Sequence, residues 1–239
     1  MPLFAQEAKD EINFAAEDAA REKEQLMSYK FSVSYRLEAG YVQDWQHSKD
    51  NSYPNTYFNG GRLGVTFDFN LPLDFTIQTG ILYSLTYGSN DQHWRNVSTE
   101  DTYRQWLHHD ILRHHLVVPV RATYTQKLWR KLGMYFYGGP QMQIGIAYSD
   151  YITDHLNDAT RAWVQSVGVN TVSYDRYSEK QLNRFNIQLG LGIGLQWDNY
   201  RLQGGYDFGV NDLVKGSFHS WDWGWNVCFS YGIKTKSKK

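Results

Sequence analysis

Residues 185–197 read FNIQLGLGIGLQW. Phe185, Ile187, Leu189, Leu191, Ile193, Leu195 and Trp197 alternate with Asn186, Gln188, Gly190, Gly192, Gly194 and Gln196. A helix would spread the apolar set around its circumference, whereas a strand gathers it on one face. The opposite face holds only glycine and amides. The fold therefore turns on which medium each face meets.

The same two-residue period recurs along the chain in eight runs: 31–41, 63–69, 75–87, 116–124, 134–148, 185–197, 202–210 and 223–233. In the fifth, Met134, Phe136, Met142, Ile144, Ile146 and Tyr148 form the apolar face, opposite Tyr137, Gln141, Gln143 and Gly145. The links alternate in length. Leu71–Asp74, Gln126–Gly133 and Asp198–Asn199 are short, while Gln43–Gly60, Gly88–Asp110, Ser149–Leu182 and Asn211–Trp221 are long. Even strand number, runs of about ten residues, and short turns opposite long loops describe a transmembrane β-barrel.

A soluble eight-stranded barrel would turn its apolar face inward. That face is rich in Phe, Tyr, Leu and Trp, too bulky for so narrow an interior, whereas Gly, Ser, Thr and a few long polar chains fit it. The bulky face therefore meets lipid. Aromatic placement agrees: Tyr124, Trp129, Trp197 and Tyr200 lie near short turns, and Tyr41, Trp45, Tyr83, Tyr87, Tyr148, Trp221 and Trp223 near long loops, as two interfacial girdles. A mean hydropathy of −0.59 is compatible with this, because alternating strands escape window averages.

The expected fold is an all-β, eight-stranded antiparallel up-and-down transmembrane barrel over residues 29–234 with an N-terminal helical extension. Residues 1–28 read as the remnant of an export signal (Leu3-Phe4-Ala5, cleaved near Ala5 or Gln6) followed by a periplasmic helix over Glu7 to Met27. Residues 235–239 form a basic tail. The helix carries Glu7, Asp10, Glu11, Glu17, Asp18, Glu22 and Glu24 against Lys9, Arg21 and Lys23. It is expected to lie near Lys234, Lys236, Lys238 and Lys239, and to cap the periplasmic mouth or dock a partner.

HLVVPVRATY, FYGGPQMQIGIAY, FNIQLGLGIGLQW and YRLQGGYDFGVNDL together resemble the PorT-like outer-membrane β-barrel family of Bacteroidota. The likeness covers about Tyr29 to Lys234, and implies an outer-membrane location and, by analogy, a part in protein secretion across that membrane. Two features depart from such barrels: the leading acidic segment, and a chain that runs on past Ile233 as KTKSKK. Pro119 and Pro140 each remove a ladder donor, so a bulge or irregular pairing is expected at both.

The inward charges Arg36, Glu38, Arg62, Asp68, Arg121, Arg201 and Asp207 read as a lumen network, since ionisable groups at membrane depth must pair or meet water. His108, His109, Arg113, His114 and His115 cluster in one stretch. Same-face partners such as His109 and His115 stand about 20 Å apart on a strand, so they read as a weakly basic outer rim near lipopolysaccharide phosphates rather than a metal site. Asp150, Asp154, His155 and Asp158 read as a solvated loop face. His219, Ser220 and Asp222 have the residue types of a hydrolase, but adjacent strand residues point apart.

No metal and no cofactor is expected. The formal net charge of −1 offers no field for nucleic acid, and one cysteine excludes a disulfide framework. The expected function is a non-enzymatic structural or interaction protein. Its expected partners are outer-membrane lipid, lipopolysaccharide and a periplasmic or outer-membrane protein. The alternative is a small-solute or lipid-handling barrel, either a pore or a lipid A-modifying enzyme.

Overall fold

The computed structural model describes residues 32–48, 56–93, 105–215 and 219–233. Its elements are β1 (Ser32–Ser48), β2 (Thr56–Asn70), β3 (Phe75–His93), β4 (Trp106–Trp129), β5 (Leu132–Asp154), α1 (Asp158–Ser166), β6 (Tyr174–Asp175), β7 (Phe185–Trp197), β8 (Tyr200–Gly209) and β9 (Ser220–Ile233). Eight strands pair antiparallel with their neighbours, and β1 closes on β9 from Tyr35↔Ile233 to Ser48↔Ser220. The two-residue β6 is an extra flange on β5. The leading helix expected over 7–27 and the basic tail lie outside the described residues; the described helix, α1, sits in the β5–β7 connection instead.

Alternation is realised as expected. Leu63, Ile81, Leu191 and Leu202 are more than half exposed on the outer wall, while Gln78, Gln141, Gln188 and Gln203 are buried inside. Three two- to four-residue turns mark the periplasmic end and the long connections mark the outer end. The connection expected over Gln126–Gly133 contracts to Arg130-Lys131, because β4 and β5 stay paired down to Trp129↔Leu132. A tilted crossing needs about 9–11 residues. Strand β4 has 24 and β5 has 23. These strands rise beyond the outer leaflet and carry α1 and β6 on an extracellular wall.

Both prolines interrupt the ladder without shifting it. The β3–β4 pairs stop at Thr79↔Val120 and resume at Leu82↔Val117, spanning Pro119, and the β4–β5 pairs skip from Pro119↔Gln141 to Ala122↔Gly138, spanning Pro140. Each gap lies on the side of the missing N–H. A true bulge occurs elsewhere: His114 pairs with Ala147 but His115 with Gly145, leaving Ile146 as the extra residue. One inserted residue inverts everything after it. Tyr148, expected in the outer aromatic girdle, is consequently turned inward and is 3% exposed.

Large inward side chains need empty neighbours. Tyr137 crosses the lumen beside Gly192 and Gly205, and a Cβ at either would overlap its ring or hydroxyl. Gly61 faces lipid, with nothing nearer to such a Cβ than a carbonyl oxygen at 3.7 Å. Gly205→Val is expected to cost about 1–3 kcal/mol or block closure, whereas Gly61→Ala stays within about 0.5 kcal/mol. The check is the fraction of unboiled protein running as the compact, fast-migrating band on a denaturing gel after refolding into detergent.

Candidate functional site

The interior of the barrel is the site, and it is built in tiers. At the periplasmic end Arg36 Nε donates to Asp68 Oδ2 at 2.7 Å, Gln78 Nε2 donates to Asp68 Oδ1 at 2.9 Å, and Arg201 lies 3.5 Å from the same carboxylate. The Arg201 guanidinium stacks 3.8 Å from the Tyr135 ring centroid and donates to Gln196. One tier up, Arg121 stacks over Tyr137 at 4.6 Å, donates to Gln141 at 2.9 Å and approaches Asp207 at 4.0 Å. Asn226 holds the other Asp207 oxygen at 2.8 Å. Amides of Gln141, Gln143 and Gln188 then link β5 to β7.

The third tier centres on Arg113, which makes a two-pronged pair with Asp222 (Nη1–Oδ1 3.2 Å), approaches Asp44 at 3.8 Å and stacks 4.2 Å over Phe58. Above it the interior turns apolar: Phe58, Ile111, Tyr148, Tyr177 and Leu182 form a core that closes the outer mouth. Tyr177 comes from the β5–β7 connection and reaches down to His115 Nε2 at 3.2 Å, over Gly145, where any Cβ would strike its ring. A second cluster, Leu107, Leu156 and Val164, seats α1 on the rim. Asn157 caps that helix, accepting the Thr160 N–H at 2.8 Å.

Polar ties hold the cap outside the membrane. Asp150 accepts from Arg176 Nη2 at 2.7 Å and meets His109 Nδ1 at 3.0 Å. Asp175 accepts the N–H groups of Tyr148, Tyr177 and Ser178, each at 2.9 Å. Burial alone would raise the Asp150 carboxyl, but the His109 hydrogen bond and the Arg176 charge outweigh it and hold it below its usual value. Asp175 is lowered in the same way, burial being outweighed by its backbone donors.

All seven residues expected in the lumen network face inward and are buried. The structure joins Arg36, Asp68 and Arg201, and brings Arg121 to Asp207. It leaves Glu38 and Arg62 apart: neither Glu38 oxygen, nor Nε or Nη1 of Arg62, has a hydrogen-bond partner among the described residues. Sequence reading missed Asp44, Arg113 and Asp222 as members. Their signal was parity, since Asp44 shares the face of Arg36, Arg113 that of Arg121, and Asp222 that of Ser230.

The expected basic rim does not hold together as one surface. His109, Arg113 and His115 are buried in the interior. The other two face outward, His114 against the Tyr83 hydroxyl at 2.5 Å and His108 between Asp91 at 2.6 Å and Asp110 at 3.4 Å. The Asp91 hydrogen bond raises the His108 pKa, and the two carboxylates beside the ring offset any charge it carries.

Nor do the hydrolase-like residues assemble. His219 bonds Asp212 at 2.5 Å, while Asp222 is engaged by Arg113. In the outer connection Arg161 takes up both Asp154 and Asp158, His155 stacks on Trp106, and Asp150 is inside. No cluster of three metal-ligating side chains occurs among the described residues.

A closed ring with lipid-facing apolar residues and a paired polar interior invites comparison with known barrels. The family model for "outer membrane protein beta-barrel domain" matches residues 4–215. The chain belongs to that family. It is an outer-membrane protein. Solved structures similar to this family member include Neisserial surface protein A (11% identity, 84% of this chain and 98% of that one, TM-score 0.46). The attachment invasion locus protein of Yersinia pestis is similar at 12% identity, with 84% and 99% covered and a TM-score of 0.40. OprG of Pseudomonas aeruginosa is similar at 9% identity, with 86% and 98% covered and a TM-score of 0.33. No curated protein matches the chain.

Two outcomes follow from the tiers. Arg113→Ala strands the buried Asp222, and is expected to destabilise the barrel by about 3–5 kcal/mol. Arg113→Met with Asp222→Leu should recover most of that loss. Urea unfolding in lipid vesicles, followed by tryptophan fluorescence, reads both. For the cap, a depressed carboxyl contributes stability that is complete above its unfolded value of about 3.9 and is lost as pH falls through its folded value. Hydrogen exchange at the Tyr177 amide is therefore expected to stay slow at pH 5 and to accelerate below about pH 4, with Asp150→Asn bringing the fast exchange to neutral pH.

Proposed function

We propose that this protein is a non-enzymatic structural or interaction barrel whose sealed interior serves as a rigid pedestal for its extracellular wall. The observation that carries this reading is the double closure of the lumen, by the Arg113–Asp222 tier and by the Tyr177 core above it. A solute path would have to break a buried ion pair and an apolar cluster together. The outer structure is in turn elaborate, with α1 capped and seated, β6 added to β5, and Trp163 and Val167 exposed on one helix face. That arrangement supports contact with a protein partner at the cell surface.

Participation in secretion across the outer membrane is the finer form of this reading. It rests on the PorT-like resemblance of the HLVVPVRATY, FYGGPQMQIGIAY and FNIQLGLGIGLQW strands. Contact with lipopolysaccharide is retained in it only for the outward His114, since His108 lies between Asp91 and Asp110. The protein reconstituted in planar bilayers is expected to show no single-channel current, and steady currents would favour a pore. A photo-crosslinker placed at Trp163 in native outer membranes should capture a discrete protein partner. Recovery of secretion components supports the finer form, and capture of lipid alone sinks the interaction reading.

A further inference from the structure

The periplasmic end differs from the outer end in holding an open cup of about 490 Å³ below the first tier. That volume lies within the range of small-molecule pockets. The cup is blind, because the tier of Arg36, Asp68 and Arg201 forms its floor. Its cations stand on opposed sides of the ring. Arg36 on β1 and Arg201 on β8 lie across from Lys127, Arg130 and Lys131 at the β4–β5 turn. Three carboxylates, Asp68, Asp74 and Asp198, share the lining, so positive charge is in excess by two.

Little of that charge is committed. At the rim Lys127 meets Asp74 at 3.1 Å and Lys131 meets Asp198 at 3.5 Å, with both lysines at least 70% exposed, and solvated pairs of this kind exchange readily. At the floor Arg201 is 4% exposed, yet its Nη1 has no hydrogen-bond partner among the described residues. Arg130 lies over the Trp129 ring and makes no ion pair with another described residue. It is the first of two residues in its turn and holds a left-handed φ of 43°, a conformation that glycine adopts with less strain. Strain kept at the mouth of a charged pocket points to a use for the side chain.

Cations placed on opposed sides suit an anion that accepts from several directions. A carboxylate accepts in one plane. A phosphate monoester presents three acceptor oxygens on a tetrahedral centre and carries nearly two negative charges at neutral pH, which matches the excess in the cup. Thr76, Thr125 and Gln196 add neutral polar groups to the same lining.

We propose that the periplasmic cup is a binding site for a phosphate monoester, held between Arg36 and Arg201 at the floor and Lys127, Arg130 and Lys131 at the rim. The site stands apart from the extracellular wall and does not depend on the role proposed for it. Soluble esters and the headgroup of phosphatidic acid carry the same group, and the mouth opens where membrane meets periplasm.

Native mass spectrometry of the full chain refolded in detergent tests this, with glycerol 3-phosphate and dihexanoyl phosphatidic acid as separate probes. One saturable adduct per chain is expected. The double variant Arg130→Gly, Lys131→Gln should raise its Kd about ten-fold or more, and Arg161→Gln on the extracellular helix should change it less than about two-fold. Glycine fits the left-handed turn, so the fast-migrating folded band should persist in the double variant. Binding of both probes marks the site as open to soluble esters, and binding of the lipid probe alone marks the headgroup as its ligand. The proposal is overturned if neither probe saturates, if succinate binds as tightly as glycerol 3-phosphate, or if the double variant binds as the native chain does.

Discussion

A backbone that crosses hydrocarbon finds no water for its amides, so the first strand must bond the last. The closure of β1 on β9 meets that demand, and its size sets the rest. Eight strands leave an interior only wide enough to be filled by side chains. The even-numbered residues of β1 from Arg36 to Asp44 all turn into it, and of them Arg36 and Asp44 meet charged partners while Gly40 leaves room for its neighbours. Five buried arginines stand in the lumen, three of them also stacked on aromatic rings. A guanidinium can bond a carboxylate in its plane while its face rests on a ring, so one residue type satisfies both the charge and the volume of a crowded lumen.

The outer closure depends on a single extra residue. Without the bulge at Ile146, Tyr148 and Asp150 would face outward, and the cap would lose both its ring and its anchor. With it, Asp150 lies opposite Ile111 and reaches His109 and Arg176, while Tyr148 packs on Phe58 and Tyr177. The geometric irregularity therefore turns the side chains of the strand end inward and makes it a platform for the β5–β7 connection. The proline gaps do no such thing, because the register survives them and the inward set is unchanged.

What was legible from the sequence divides along the same line. Strand count, facing and localisation followed from a two-residue period that a membrane barrel must keep, as in Phe185–Trp197. The seven lumen charges were readable from parity alone. Parity could not report Tyr148, since a bulge leaves no mark in the alternation until a partner strand is known. Parity does separate the histidines, since His108 and His109 are adjacent in sequence and stand on opposite sides of the wall, and that separation is what breaks up a single basic rim. Helix α1 went unread inside a long link, although Asn157 followed by Asp158 is a cap with an acidic first turn. Charge pairing across the lumen, such as Arg113 with Asp222 at 109 residues' separation, needs the ring before it can be seen.

The two ends of the barrel spend their charges differently, and this bears on what each can do. At the outer end the ion pairs are buried and backed by an apolar core, so separating them exposes desolvated groups and the cap is held shut. At the periplasmic end Lys127–Asp74 and Lys131–Asp198 are solvated, and such pairs contribute little and exchange readily. A barrel needing only to persist in the membrane would have no use for that difference. The proposed presentation of the wall would draw on the first end, because a partner docking around α1 would lose less freedom when the wall is already fixed. The second end suits a contact that can be made and released, since its rim charges can change partners without unfolding a strand.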